Sequence, residues 1–438
     1  MKFHRNFVLG ACLSLATGAV ACGDSENGVN PIGGGTGGQG GDGGGQGGGG
    51  QGGDGGAGGS GGEDACSVRL APGDDDTTTV QTALIDAEPG ATICFEAGTF
   101  SFTTEVSLDV DDVTLVGAGK DETILDFSDQ DTGGNGLLIR SDGVTVEALQ
   151  VRNTPGDGIR ADSVQGITFR DVAVMWEADA SDDNGAYGLY PVGSTDVLIE
   201  GCVVKGARDA GIYVGQSQDI LVASNEAYGN VAGIEIENST DAVVRDNYAH
   251  DNAGGVLLFN LPDLPVQDGK RANVYGNRIE NNNGPNFAAP GTVVSGLPSG
   301  LGVMILASDD NEVHENEIRG NQSVAVAIVS YNEMLLGAVM NPDFDLFPQG
   351  NFIHDNVYEE NGTDPLPFFS EFTSIRPMPD VAWDGCTDAS AEDDGHLTNC
   401  VSEPEATYVN FNLCGELPEE SQDVSAVACA YDPLPEQP

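Results

Sequence analysis

Residues 211–232 read GIYVGQSQDILVASNEAYGNVA and residues 233–254 read GIEIENSTDAVVRDNYAHDNAG, two lines that align without a gap at a spacing of 22. The preceding unit begins at Gly188 with GLYPVGSTDVLIEGCVVKGARDA, at a spacing of 23, and another begins at Gly255 with GVLLFN. Within a unit, apolar residues alternate over short stretches, Ile234 with Ile236 and Ala242 with Val244, and Gly, Asn, Asp and Ser separate the stretches. Alternation is the period of a strand that buries one face, and the separators are turn formers. Three short strands in about 22 residues cannot bury that face alone, but stacked on the next unit they can. The chain is therefore expected to be all-β: a single-stranded right-handed parallel β-helix in which each coil hydrogen-bonds to the coils above and below.

Paired asparagines keep the same register. Asn225 and Asn230, Asn247 and Asn252, Asn277 and Asn282, Asn316 and Asn321, and Asn356 and Asn361 all stand five apart. In earlier units the first position holds Leu149, Val172 and Cys202, residues suited to an inward slot. An asparagine stacked at a bend satisfies backbone groups and donates to its counterpart one coil along, so these ten residues are expected to be scaffold. The same register makes Cys202 a buried thiol.

The ends of the chain differ in composition. Lys2, His4 and Arg5 precede an apolar run from Phe7, and Ala19, Val20 and Ala21 lead into Cys22, which reads as a bacterial lipoprotein leader over residues 1–21 with Cys22 as the lipidated residue. No other apolar run is long enough to span a bilayer. Residues 33–62 are nearly all glycine, so residues 22–63 are expected to be a flexible tether, with the β-helix over residues 64–365 and a Cys-rich capping region over residues 366–438. Exposed strand edges at the ends of a solenoid need covers, and TTTVQTALIDAE at residues 77–88 offers a threonine-capped helical lid. Three disulfides are expected in an exported chain: Cys66 with Cys94, and two among Cys386, Cys400, Cys414 and Cys429, whose pairing the sequence leaves open.

Seventy acidic residues against 16 basic ones give a formal charge of −54. Nucleic acid and anionic lipid headgroups are thereby excluded as partners, with membrane contact only through a lipid anchor. Acidic polysaccharides would need bridging divalent cations. No Cys-x-x-Cys pair or Cys/His cluster points to zinc, so calcium is the candidate cation and no transition metal is assigned. The glutamate and aspartates of the loop EADASDDNGAY at residues 177–187 supply candidate oxygen ligands, Asp179, Asp182 and Asp183 foremost.

The units YGLYPVGSTDVLIEGC, DAGIYVGQSQDI and AGIEIENS, with LPDLPVQ, PNFAAPGTVV and SGLGVMILASDDNEV, resemble the exported right-handed parallel β-helix repeat proteins, many with lipoprotein leaders, of the pectin-lyase-like superfamily. The resemblance covers about residues 65–365 and implies fold and export, but no particular reaction.

If Ile212, Ile234 and Val256 face inward, the outward columns of the first strand run Arg160, Tyr190, Tyr213, Glu235, Leu257, Met304 and Asp162, Val192, Gly215, Glu237, Phe259, Leu306. Extra residues enter just before this strand at 177–187 and 282–300, and just after it at 260–273 and 330–350, so the first-strand face is expected to be a walled groove. Tyrosines and carboxylates in a groove suit a sugar chain. Glu235 and Glu237 are the candidate acid and base of glycoside hydrolysis, and Arg160 is the candidate base of a β-elimination, with Lys205 and Arg208 nearby. Tyr190, Tyr213 and Phe259 are the candidate sugar-stacking residues. His314 and His354 occupy equivalent outward positions on another face and read as a stacked surface pair; His250 shares a column with Lys205 and Tyr228. The expectation is a monomeric surface-anchored protein that binds a polysaccharide or cell-surface glycan, acting on it as a hydrolase or lyase if it is an enzyme. The competing expectation is a non-catalytic scaffold or glycan-binding accessory module.

Overall fold

The computed structural model describes residues 66–178, 180–388, 397–415 and 420–436; the leader, Cys22, the glycine tether and Asp179 lie outside them. The described chain winds into three all-parallel sheets of 12, 11 and 10 strands, each complete coil giving one strand to each and the end coils only to some. Face 1 is the 11-stranded sheet running from Thr104–Leu108 to Tyr408–Asn410, face 2 the 12-stranded sheet from Val68–Leu70 to Cys400–Ser402, and face 3 the 10-stranded sheet from Gly98–Ser101 to Val357–Glu359. Alternation sets the interior: Ile159, Leu189, Ile212, Ile234, Val256, Val303 and Val326 pair in succession across face 1 and are all buried. Each such side chain contributes about 1.5–3 kcal/mol by leaving water. Strands continue past residue 365 at Val381–Trp383, Cys400–Ser402 and Tyr408–Asn410, so the cysteine-rich region extends the solenoid as well as ending it.

The asparagines form two internal ladders. Asn247 Nδ2 donates to Asn277 Oδ1 and to Val222 O, each at 2.9 Å, while its Oδ1 accepts from the backbone N and the side-chain Nδ2 of Asn225, also at 2.9 Å. Asn252 repeats the pattern with Asn230 and Asn282. The first ladder starts where Asn225 Oδ1 accepts from the Cys202 amide, and it ends on the Glu403 carboxylate. Cys202 is buried and unpaired, and burial pushes its thiol up to about 12. A third ladder runs Asn311 to Asn351 to Asn399; Asn311 and Asn351 stand five residues before Asn316 and Asn356, so the five-residue spacing extends one position further back than the pairs read from the sequence.

The lid helix spans Asp76–Ile85, and its cap is Asp75, which accepts from the Thr78 amide at 3.1 Å, in place of the expected threonine. A carboxylate also complements the helix N-terminal dipole, which a hydroxyl cannot. Its side chains finish the first coil's edge: Gln81 exchanges two hydrogen bonds with the Ser107 backbone, Thr77 Oγ1 accepts from Thr103 N, and Asp76 Oδ2 accepts from Ser101 N. Those edge groups are therefore unavailable to another strand. The disulfides are Cys66–Cys94, Cys386–Cys414 and Cys400–Cys429. Closing the 28-residue separation of the first reduces unfolded-chain entropy by an amount worth about 3–4 kcal/mol.

Candidate functional site

Pairing on face 1 places Arg160 beside Tyr190, Tyr213 beside Glu235, then Leu257 and Met304, with Asp162, Val192, Gly215, Glu237, Phe259 and Leu306 as the parallel column. Both columns are in the expected register. What the sequence did not disclose is how much of them is covered. Leu257, Phe259, Met304 and Leu306 are buried in one apolar cluster with Phe369 and Met378 of the C-terminal region; Ile375 of that region, and Leu261, Leu297 and Leu336 of the inserted segments, pack against it. The insertions therefore roof the later coils instead of only walling them, because their own apolar side chains find cover on the sheet. Phe259, 1% exposed, offers no ring face to a ligand, which corrects its expected role in sugar stacking.

Where roof meets open sheet, three tyrosines and four acids converge. The Tyr187, Tyr190 and Tyr213 rings contact one another with centroids 4.5 to 5.0 Å apart. Tyr213 Oη donates to Glu237 Oε1 at 2.6 Å, and Gln216 Nε2 donates to the same oxygen at 3.2 Å. Gly215 permits this: a Cβ there would lie 2.4 Å from the Tyr213 ring, which lies back across the glycine to reach Glu237. Burial lifts Glu237 to about 7 even though both of these bonds favour its charged form. Glu235, 1% exposed, has a buried Oε2 with no hydrogen-bond partner. Burial, then the charges of Glu237 and Asp209, hold its carboxyl well above the usual range.

Asp209, which precedes the strand Ala210–Gly215, is pushed up to about 7 by burial and by Glu237, against Arg208 and a hydrogen bond with Tyr187. Asp157 reaches about 6 through burial, opposed chiefly by Arg160. Adjacent buried carboxyls oppose one another's ionisation, so burial and mutual repulsion raise the group together. Glu235 and Glu237 stand two residues apart on one strand face, about 6.5–7 Å between Cα atoms.

Arg160 does not fit the role of base. Its Nη2 donates to Asp162 at 2.7 Å and its guanidinium lies 5.0 Å from the Tyr190 ring centre. Burial opposes its charge, but Tyr190, Asp162 and Asp157 together hold its proton more tightly than usual. It is an anchored cation beside the open sheet.

The family described as "Right handed beta helix region" matches residues 135–284. Among solved structures, the A-module of Azotobacter vinelandii mannuronan C-5 epimerase AlgE6 is 17% identical over 76% of this chain and 84% of that one, with a TM-score of 0.51. This chain is a right-handed parallel β-helix. This β-helix also resembles the Dettilon tailspike protein, at 12% identity over 66% of this chain and 62% of that one with a TM-score of 0.43. An alginate lyase from Paenibacillus sp. strain FPU-7 is 16% identical over 67% and 96% of the two chains, with a TM-score of 0.33. No curated protein matches it.

Elsewhere on the β-helix, Asp182 and Asp183 are exposed; the Asp182 carbonyl accepts from Arg208 Nη1 at 3.0 Å, and Asp179 lies outside the described residues. Lys205, Tyr228 and His250 share one outward column of face 3, where Tyr228 and His250 stack. The site residues missed by the sequence reading are Asp157, Asp209, Tyr187 and Gln216. Asp209 and Gln216 sit in turns, where alternation assigns no face; only the neighbouring coil's register brings them to Glu237.

Proposed function

We propose that the open part of face 1 binds a polysaccharide, with Tyr187, Tyr190 and Arg160 receiving the sugar chain and Glu237, Glu235 and Asp209 lying at its inner end. The observation that carries this reading is the Tyr213–Glu237–Gln216 hydrogen-bonded cluster, whose carboxyl titrates near neutrality where the roofed coils stop the groove. Glu237 serves as the proton-exchanging group, and Tyr213 orients it. The roof over Leu257 and Phe259 favours a chain end over the middle of a chain. A neutral glycan fits better than a uronate, since the protein carries a charge of −54 and Arg160 is already paired with Asp162. The shared fold of the mannuronan epimerase module is compatible with action on polysaccharides.

The test is Glu237→Gln assayed on a panel of neutral and acidic glycans for reducing ends and unsaturated products. A loss of about 100-fold or more in turnover with retained binding is expected. Wild-type protein that binds a glycan yet releases nothing from any of the panel supports the second reading, a non-catalytic glycan-binding module, which the depth of Glu235 favours. Unchanged turnover in Glu237→Gln removes the residue assignment. Lipidation at Cys22 would tether this module at the bacterial surface, a part of the proposal that rests on the leader alone.

A further inference from the structure

We propose that face 2 carries a binding site for a divalent first-row transition ion, zinc among them, formed by Glu312, His314 and His354 and independent of the groove. Glu312 and His314 stand two apart on the strand Glu312–His314 and share its outward side. His354 pairs directly with His314 from the next coil. One donor atom from each of the three lies within 4.8 Å of the other two. Calcium and magnesium prefer oxygen donors; two imidazoles and one carboxylate are a donor set for zinc and its neighbours.

The surroundings already orient the donors. His354 stands between two carboxylates, Nδ1 2.8 Å from Asp355 Oδ2 and Nε2 2.9 Å from Glu312 Oε1, so an ion entering between Nε2 and Glu312 displaces the Nε2 proton while Asp355 holds the Nδ1 proton. A carboxylate behind an imidazole in this way fixes the tautomer a metal needs. Asn273 donates its Nδ2 to the Leu434 and Pro435 carbonyls, so its Oδ1 accepts from His314 Nε2 at 3.0 Å, leaving Nδ1 of His314 with the lone pair. The two rings stack 4.9 Å apart with 5° between planes, which holds both imidazoles on the same outward side of the sheet. A cavity of about 440 Å³, lined by Arg271, Asp310, Tyr431 and Leu434 among others, adjoins Glu312 and leaves room for water to complete the coordination. Glu312 Oε2 meanwhile accepts from the Leu434 amide, so an ion on Oε1 also fastens the C-terminal tail to the coil. Forty residues separate the histidines, too many for a spacing motif; only the stacking of coils joins them.

The experiment titrates Zn2+ into the full chain by calorimetry with excess Mg2+ present to occupy the acidic surface, and repeats it with Co2+ to read visible absorption. One saturable ion per chain is expected, weakened at least about 10-fold by His314→Gln and by His354→Gln, with Asp355→Asn giving a loss of about 10-fold as a positioning residue. The Co2+ bands should fade in both histidine variants while their ion-free thermal unfolding stays that of the wild type. No saturable binding above Mg2+, or binding unchanged in both histidine variants, overturns the proposal.

Discussion

Glu235 and Glu237 were set apart in the sequence because no neighbouring coil repeats them, and the structure gives each a different environment. Glu237 keeps two hydrogen-bond donors and is lifted to about 7, whereas Glu235 Oε2 has none, and burial and the charge of Glu237 hold its carboxyl well above the usual range. The folded-state pKa of Glu237 lies above its ordinary 4.5, so the folded protein binds the extra proton between these values. Its stabilising effect is full below about 4.5 and is lost as pH rises through 7. Denaturant midpoints should therefore fall between pH 5 and pH 8, and Glu237→Gln should recover about 1–2 kcal/mol at pH 8 while changing little at pH 5. An equal effect of the substitution at both pH values would remove the titration from this residue. Presence of the two acids was legible from the repeat; their unequal chemistry was not, because it depends on Tyr213, Gln216 and Asp209 from other coils and turns.

At the scale of the element, the asparagine ladders show how a repeat turns one residue choice into a continuous structure. The Asn247 side chain makes four hydrogen bonds, two as donor and two as acceptor, inside the coil stack. Asn247→Ala strips the buried Asn225 amide and the Val222 carbonyl of their partners together. The expected loss is about 3 kcal/mol, read from urea unfolding as a lower midpoint at an unchanged slope. A cost under about 0.5 kcal/mol would mean that water replaces the side chain and the ladder is not structural. Turn columns obey a related rule: Asp171, Gly201, Ser224, Asp246 and Gly276 all have positive φ, so part of the chain's acidity is turn chemistry, aspartate standing where glycine also serves.

At the scale of the whole molecule, net charge, caps and the proposed lipid anchor bear on where the protein works. A charge of −54 keeps such a surface apart from other acidic polymers, and the lid helix and disulfides close the solenoid's ends. If Cys22 carries the anchor, Cys22→Ser should move the protein from the membrane fraction to the soluble fraction of expressing bacteria without changing its thermal unfolding. Equal partitioning of the variant and the wild type would remove the anchor from the proposal.

The sequence by itself determined the β-helix, the inward and outward columns, the two main asparagine ladders, the Cys66–Cys94 bridge and the buried Cys202. Each is either a periodic feature, repeated coil by coil so that one unit predicts the next, or, for the bridge, a pair of cysteines placed at the start of the folded region. Only the tertiary structure decided that the inserted segments fold over Leu257 and Phe259, that Arg160 is neutralised by Asp162, that Asp209 and Tyr187 join the acids, and that Glu312, His314 and His354 meet. Those features come from turns, insertions and residues about 40 positions apart, whose positions depend on packing, which no local period encodes.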